Sequence, residues 1–278
     1  MWYPLANMPD GSGPGGRSVT PQIDTGPFEF EHVLEDIQSL NERSERGELE
    51  VTALSIHQYP HVADRYVLTS CGSSMGDGYG PMVVAPSSRD IAVDHLPEIT
   101  IAIPGARTSA FAALSLYMGQ PVTRYEVVPF DQIIAKVVEG QFDAGLIIHE
   151  GQLTYAKAGL DCVVDLGAWW KQSRGLPLPL GGNAIRRDLA GVAPDLCRVL
   201  LNSIHYALDH REEAVEYALY YARDMGIDLA CRFVGMYVNE WTLDYGPTGR
   251  EAVRRFLAEA GEMGLVPACG AIDFVDPA

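Results

Sequence analysis

Short apolar strands alternate with helices of about ten residues between positions 82 and 166 of this chain. The clearest strand lies within Asp143–Glu150 (DAGLIIHE), an apolar run that ends in His149 and Glu150. Strands that alternate with helices pair in parallel, because each helix carries the chain back to the start of the next strand. The pattern predicts an α/β fold with mostly parallel sheets and helices on both faces.

His149 is predicted to lie at the carboxyl end of this buried strand. In open α/β sheets ligands bind at that edge, and an imidazole can accept a proton near neutral pH. A lone histidine at a strand end is, however, more often a hydrogen-bonded structural residue. Both interpretations of His149 stand on the residues alone.

Two further stretches place hydroxyl groups where a helix follows a strand. The predicted strand Thr100–Ile103 leads through a glycine turn to Thr108 and Ser109, which open a helix. The free amides of a first helical turn bind anions, so this segment is a candidate anion site. The predicted strand Val51–Leu54 runs into Ser55, which is either a helix cap or a hydroxyl facing a ligand.

The first residues predict less regular structure. Gly11–Gly16 lacks the Lys-Ser/Thr ending of a phosphate loop and is interpreted as a flexible connection. Phe28–Phe30 is predicted to be a short strand, and His32–Arg46 a helix that ends at Gly47.

The character of the chain changes after about residue 182. Helical spacing of apolar residues predicts four helices, Pro194–His210, Glu212–Met225, Asp228–Trp241 and Pro247–Gly264. A chain that leaves for a second α/β unit and then returns suggests two lobes. We expect a large lobe of residues 1–87 plus 180–278, a small lobe of residues 88–179, and a ligand site in the cleft between them.

Charge restricts the partners that such a protein can bind. The formal net charge is −17, from 37 acidic and 20 basic residues. Nucleic acid backbones and anionic membranes require clustered Lys and Arg, so neither is expected as a partner. A small anionic substrate would have to be held by local devices such as helix amino termini.

Cysteine usage and hydropathy predict the compartment. The five cysteines are scattered and form no C-x-x-C pair, which favours reduced thiols and gives no metal cage. No run is long enough for a transmembrane helix, and no signal peptide is visible. We therefore expect a cytoplasmic protein.

Several segments together resemble the 1,4-dihydroxy-6-naphthoate synthases of the futalosine route to menaquinone. The segments are Asp64–Val67, Gly80–Ala85, Pro104–Gly105 with Thr108–Ser109, Leu114–Tyr117, Gly145–Glu150, Val164–Trp170 and Gly175–Gly181. The similarity runs from about Val33 to about Leu265. The combination of the His-Glu strand end with Trp169-Trp170 and the Leu-Pro-Leu-Pro-Leu segment is specific, because a generic fold of this kind would not predict it.

The resemblance implies a fold like that of two-lobed (type II) periplasmic binding proteins. It implies a lyase that converts cyclic dehypoxanthinyl futalosine to 1,4-dihydroxy-6-naphthoate and releases a small sugar-derived fragment, with no metal and no organic cofactor. His149 would be the general base. Ala53, Leu54 and Ser55 on one lobe and Thr108 and Ser109 on the other match the family's substrate-contacting segments.

The chain departs from the family at its amino terminus, and two alternatives to the lyase function stay open. In family members a strand and a Ser-Pro-x-x-Asp loop precede the helix to which Met1–Ala6 corresponds. This chain contains neither, so we expect Met1 to be internal to a longer natural protein. A solute-binding protein with the same lobes and no chemistry is one alternative. A truncated inactive relative is the other, and the oligomeric state stays open.

Overall fold

The computed structural model describes residues 2–11, 13, 16–221 and 226–278. Met1, part of the glycine-rich stretch Gly11–Gly16 and the last residues of the predicted helix Glu212–Met225 lie outside the described residues.

Helices cover much of the described chain, most densely after residue 190. In chain order they are α1 (Ile37–Arg46), α2 (Tyr59–Val62), α3 (Ser109–Met118), α4 (Ile133–Val138), α5 (Leu166–Arg174), α6 (Ala193–Asp209), α7 (Arg211–Tyr221), α8 (Ile227–Tyr237), α9 (Glu240–Leu243) and α10 (Gly246–Glu262). None of these helices, as far as the chain is described, is long and apolar enough to cross a membrane.

The strands form two sheets. In chain order they are β1 (Val51–Ser55), β2 (Tyr66–Thr69), β3 (Ser74–Gly76), β4 (Met82–Pro86), β5 (Ile101–Ile103), β6 (Tyr125–Val127), β7 (Ala144–Ile147), β8 (Leu160–Asp165), β9 (Leu178–Arg186) and β10 (Phe274–Val275).

The first sheet is built around β9, which pairs antiparallel with β1, β2 and β3. Strand β10 pairs parallel with β2, which gives the order β1-β9-β2-β10. The register between β3 and β9 shifts between Ser74 and Met75, and Met75 stands opposite Pro179. Because proline offers no N–H to a ladder, this irregular pairing lets a proline lie inside a central strand.

The second sheet has the order β6-β5-β7-β4-β8. Strands β6, β5 and β7 are parallel, since α3 and α4 each carry the chain back between them. All four residues of β7 are buried, which confirms the prediction of a buried strand before His149. Strand β4 pairs antiparallel with both β7 and β8.

The α/β class is confirmed, but the expectation of mostly parallel sheets is wrong. Antiparallel pairs outnumber parallel ones, because β4 and β9 run against their neighbours. Both strands enter from the other sheet and not over a helix of their own sheet, so no crossover forces them to be parallel.

Strand pairing also shows where the chain changes sheets. It passes to the second sheet between Gly76 and Met82 and returns between Asp165 and Leu178. The division into lobes of residues 1–87 plus 180–278 and residues 88–179 stays a prediction. Pairing places β4 with the second sheet and not with the first lobe.

Capping shifts the start of one predicted helix and divides another, and one predicted strand is not formed. Phe28–Phe30 is not a strand, and α1 starts at Ile37 and not at His32 because the Asp36 carboxylate caps it by accepting from the first-turn amides. Gly47 ends α1 in a left-handed conformation, as predicted. The predicted helix Asp228–Trp241 is split into α8 and α9, because Asn239 starts a new helix with a capping box.

One core joins the two sheets through α3. Every residue from Ser109 to Leu116 is buried, and the same apolar cluster contains Leu54 of β1 and Leu146 of β7. Trp170 is fully buried in that cluster, while Trp169 packs edge-on against Tyr117. The start of α3 is therefore fixed from both sheets.

We predict that Gly167→Ala strongly destabilises the protein. A Cβ at Gly167 would lie 1.9 Å from the Tyr79 carbonyl oxygen and 2.5 Å from the Gly80 nitrogen, both of them backbone atoms of the segment that joins the sheets. Overpacking typically costs about 1 to 3 kcal/mol, and a clash with two backbone atoms is expected at the upper end of that range. Chemical denaturation of the variant measures the loss in free energy of unfolding.

Gly261→Ala is the matched control, because Gly261 is also helical and a Cβ there would meet nothing within 4 Å. It should leave stability unchanged or raise it by up to about 1 kcal/mol. Equal effects of the two substitutions would contradict the close contact between α5 and the joining segment.

Candidate active site

Thr108 and Ser109 form the amino terminus of α3, as the sequence predicted. The Thr108 hydroxyl caps the helix by accepting from the Phe111 N–H at 3.3 Å. Ser109 is only 2 % exposed, and its hydroxyl donates to the carbonyl oxygen of Leu180 at 2.6 Å. Leu180 lies on β9 of the first sheet, so the start of α3 is bonded across the two sheets.

Ser55 lies at the end of β1 and is joined to the same region by Asn41. The Asn41 amide nitrogen donates to the Ser55 hydroxyl at 3.0 Å and to the Arg107 carbonyl at 3.3 Å. The Asn41 amide oxygen accepts from the Ser55 N–H at 2.9 Å. Ser55 is therefore not the helix cap of the first alternative, since its hydroxyl makes no bond to the helix that follows and accepts from the Asn41 side chain instead.

Asn41 is a residue of this site that sequence reasoning missed. It lies on α1, whose fully buried residues are Asn41 and Ser44. The apolar residues Val33 and Leu34, within the predicted helix His32–Arg46 but before α1, are 37 % and 49 % exposed. A polar helix face in a sequence usually indicates a solvent-exposed face. The bridging role of Asn41 is therefore visible only from its buried partners on β1 and before α3.

The chain just after the first predicted binding segment is hydrogen-bonded to the second segment. The His57 N–H donates to the Ser109 hydroxyl at 3.1 Å. Ser55, Thr108 and Ser109 are each 2 % exposed, so they are closed off from water in this structure. A substrate that reaches them has to part the two segments and replace these hydrogen bonds with its own.

His57 is the second residue that the sequence did not single out. It is 3 % exposed, and burial, more than any neighbour, lowers the pKa of its imidazole to about 4. Its Nδ1 atom is buried without a hydrogen-bond partner in the described chain, while Nε2 lies 3.3 Å from the Leu265 carbonyl. A neutral imidazole thus stands beside the predicted binding segments.

Arg107 and His61 are the charged neighbours of this cluster. The Arg107 Nη1 atom lies 2.8 Å from Nε2 of His61, and its Nε atom 3.5 Å from a carboxylate oxygen of Glu45. Burial and then the nearby guanidinium hold the pKa of His61 below its usual range. His61 is therefore held as the neutral acceptor of the Arg107 N–H.

His149 lies at the carboxyl edge of the second sheet, where it was predicted. Its Nε2 atom is 2.6 Å from the Phe130 carbonyl, and its Nδ1 atom accepts from the Gly151 N–H at 2.9 Å. These two bonds define the neutral tautomer with hydrogen on Nε2. The imidazole is held by two hydrogen bonds, as in a structural histidine. It is also partly exposed, so a ligand can reach it.

Strand register places His149 on the same edge as the start of α3. Ala102 of β5 pairs with Gly145 of β7, and the two strands run parallel. Thr108 follows β5 and His149 follows β7, so both leave the sheet at its carboxyl edge. Asp143, at the opposite end of β7, accepts from the Arg89 guanidinium at 2.5 Å.

Ala53 and Leu54 differ in what they face. Leu54 is fully buried in the core that joins the sheets. Ala53 lines a cavity of about 940 Å³ beside β1, between the segment Pro27–Glu35 and the segment Glu48–Ala53. Five glutamates line this cavity against one arginine, Arg43, so its charge does not suit an anionic ligand.

Comparison with known proteins gives one family for nearly the whole chain. The family described as menaquinone biosynthesis matches residues 1–262. A 1,4-dihydroxy-6-naphtoate synthase of Thermus thermophilus is 42 % identical over 240 residues, or 86 % of each chain. A protein of the same name from Streptomyces coelicolor is 37 % identical over 242 residues, or 84 % of each chain.

Solved structures agree with this assignment. The protein AF1704 from Archaeoglobus fulgidus superposes with a TM-score of 0.79 at 44 % identity, covering 86 % of this chain and 88 % of its own. The ligand-binding component of an ABC-type import system from Staphylococcus aureus superposes with a TM-score of 0.66 at 10 % identity, covering 92 % and 88 %. This second likeness shows the fold alone and confirms the predicted likeness to periplasmic binding proteins.

We predict that Asn41→Leu lowers the free energy of unfolding by about 2 kcal/mol or more. The substitution keeps the side-chain volume but leaves the Ser55 N–H and the Arg107 carbonyl unpaired in a buried place. Ser44→Ala on the same buried face is the control, because its hydroxyl donates within α1 and accepts only a long bond from Gln58 at 3.4 Å, and it should cost about 1 kcal/mol. Denaturation curves measure the free energy of unfolding of both variants. Equal losses in this free energy would contradict the bridging role of Asn41.

We predict that stability falls as the pH drops from about 6.5 to about 4, and that His57 causes much of the fall. The unfolded chain protonates this imidazole near its ordinary pKa, whereas the folded chain does so only near pH 4. The unfolded state therefore gains protons first, which removes about 3 kcal/mol by the lower end of that window.

Unfolding measured across this window should give a flatter profile for His57→Gln than for the wild type. His205→Gln is the control, because His205 is exposed. A His57→Gln profile parallel to the wild-type profile would contradict this assignment.

Proposed function

The chain belongs to the menaquinone biosynthesis family, and we propose that it acts there as a 1,4-dihydroxy-6-naphthoate synthase. The observation that carries the proposal is the identity to two relatives of that name over most of both chains. The likeness to binding proteins rests on the fold alone, at 10 to 14 % identity, so it gives a solute-binding function no comparable support.

The proposed reaction is the cleavage of cyclic dehypoxanthinyl futalosine to 1,4-dihydroxy-6-naphthoate and a small sugar-derived fragment. Such a lyase reaction needs a base that removes a proton, and an imidazole suits this task near neutral pH. His149 is the base in this proposal. Its support is the position at the carboxyl edge of the sheet, its partial exposure and its defined tautomer.

The hydrogen bonds of His149 define what must change when it acts. The lone pair of the neutral imidazole is on Nδ1 and is engaged by the Gly151 N–H. A substrate proton has to displace that N–H, or the substrate has to replace the Phe130 carbonyl at Nε2 with a change of tautomer. Hydrogen bonds at catalytic groups commonly rearrange in this way when a substrate binds.

The substrate-binding part of the proposal uses both segments. Ser55, with Ala53 and Leu54, would contact the substrate from the first sheet, and Thr108 and Ser109 from the second. Their hydroxyls now bond to the chain itself, at Leu180, Asn41 and Phe111, so an incoming carboxylate or sugar hydroxyl takes over existing bonds. The amino terminus of α3 supplies the field for an anion despite the acidic surface.

A small-molecule substrate follows from the biosynthetic family. We propose further that this molecule is anionic and that the protein works in the cytoplasm, with neither nucleic acid nor membrane as a partner. The net charge of −17 supports the exclusion of polyanionic partners.

We predict that the purified protein forms 1,4-dihydroxy-6-naphthoate from cyclic dehypoxanthinyl futalosine and that His149→Gln lowers kcat by about 10² to 10⁴. His95→Gln is the control, because His95 is exposed on the short 3-10 helix Val93–Glu98. Product formation is followed by absorbance. Equal rates for wild type and His149→Gln would refute the base assignment, and no product from the wild type would refute the proposed function.

A further inference from the structure

A short 3-10 turn, Glu150–Leu153, follows His149 directly, and Gln152 holds it together. The Gln152 N–H donates to the His149 carbonyl at 2.9 Å. Its side-chain amide donates to the carbonyl of Ile147, the last residue of β7, at 3.3 Å. Gln152 is only 4 % exposed, so these bonds are shielded from competing water.

The remaining polar atom of Gln152 is held by a residue far away in the sequence. The Tyr237 hydroxyl donates to Oε1 of Gln152 at 2.7 Å. Tyr237 ends α8, which lies outside the second sheet, and its ring packs edge-on against Tyr79 at 5.8 Å and Phe233 at 5.3 Å. Burial raises the pKa of the Tyr237 phenol, so the hydroxyl keeps its proton and stays a donor.

We propose that Tyr237 is a positioning residue for His149, an inference that rests on the proposed role of His149 as the base. Its hydroxyl fixes Gln152, Gln152 fixes the turn, and the turn fixes the imidazole through the Gly151 N–H. Tyr237 thereby couples the orientation of the base to the contact between α8 and the second sheet.

The tight fit at Gly151 shows how closely the imidazole follows the turn. A Cβ at Gly151 would lie 2.5 Å from Cε1 of His149 and 2.5 Å from Cδ1 of Ile134. The ring thus lies directly on the backbone of the turn. A displacement of Gln152 moves the Gly151 N–H and loosens the Nδ1 bond that selects the tautomer.

The test is Tyr237→Phe, which keeps the ring packing and removes the hydroxyl. We expect kcat to fall about tenfold with KM within about twofold, since one hydrogen bond to the positioned turn is lost. We also expect the 15N resonances of the His149 imidazole to change from those of the single Nε2–H tautomer toward an average of both tautomers. This second readout needs no activity, so it judges the positioning even if the wild type forms no product and the proposed function fails.

Tyr79→Phe is the matched control. It removes the hydroxyl of the other tyrosine in the same ring pair, but that hydroxyl donates to the Met236 carbonyl and not to the turn. The His149 resonances of this variant should match those of the wild type. If both variants lower kcat equally and neither changes the imidazole resonances, the role of Tyr237 is only structural and the proposal is overturned.

Gln152→Leu removes the acceptor of the hydrogen bond from Tyr237. It tests the positioning role even if Tyr237→Phe does not fold. It should reproduce the imidazole resonances expected for Tyr237→Phe. The double variant should lose no more activity than Gln152→Leu alone, because both substitutions break one path. Losses that multiply in the double variant, or unchanged His149 resonances in Gln152→Leu, would overturn the proposal.

Discussion

The buried hydrogen bonds of Asn41 are the interaction on which the candidate site depends. One amide side chain accepts from the end of β1 and donates to the backbone just before α3. These two places belong to different sheets, so the bonds set the distance between Ser55 and Ser109 before any substrate is present. Because an unpaired amide or carbonyl in the interior is costly, the protein has few ways to separate these segments without a ligand that replaces the bonds.

The parts of the fold that the sequence predicted are those set by local rules. Strand β7 is a buried apolar run, and α3 starts at a hydroxyl cap, so neighbours in the chain determine both. Strand β9 was not predicted, because proline usually interrupts a strand. Pro179 is accommodated only by the irregular pairing of β9 with β3. Asn41 was not predicted for a related reason, since its bridging role depends on hydrogen-bond partners that are distant in the sequence.

The two interpretations of His149 are compatible with each other. The bonds to Phe130 and Gly151 are those of a structural histidine, yet they leave a neutral ring with one defined lone pair at the carboxyl edge of the sheet. A base needs a fixed orientation as much as it needs a suitable pKa. The sequence could locate this residue by its strand, but the tautomer follows from a carbonyl 19 residues away in the chain, which local pattern cannot supply.

For the anionic substrate that we propose, charge restricts where recognition would take place. The net charge of −17 repels an anion from most of the surface, and the cavity beside β1 adds glutamates to that repulsion. The segments around Ser55 and Ser109 instead hold hydroxyls and the amides that begin α3, while the Arg107 guanidinium just before α3 contacts His61 and Glu45. In the proposed function, the anionic group of the substrate would be stabilised there once the segments part and water is excluded, because fixed dipoles act strongly in a dry site. Recognition of the substrate and separation of these two segments would then be one event.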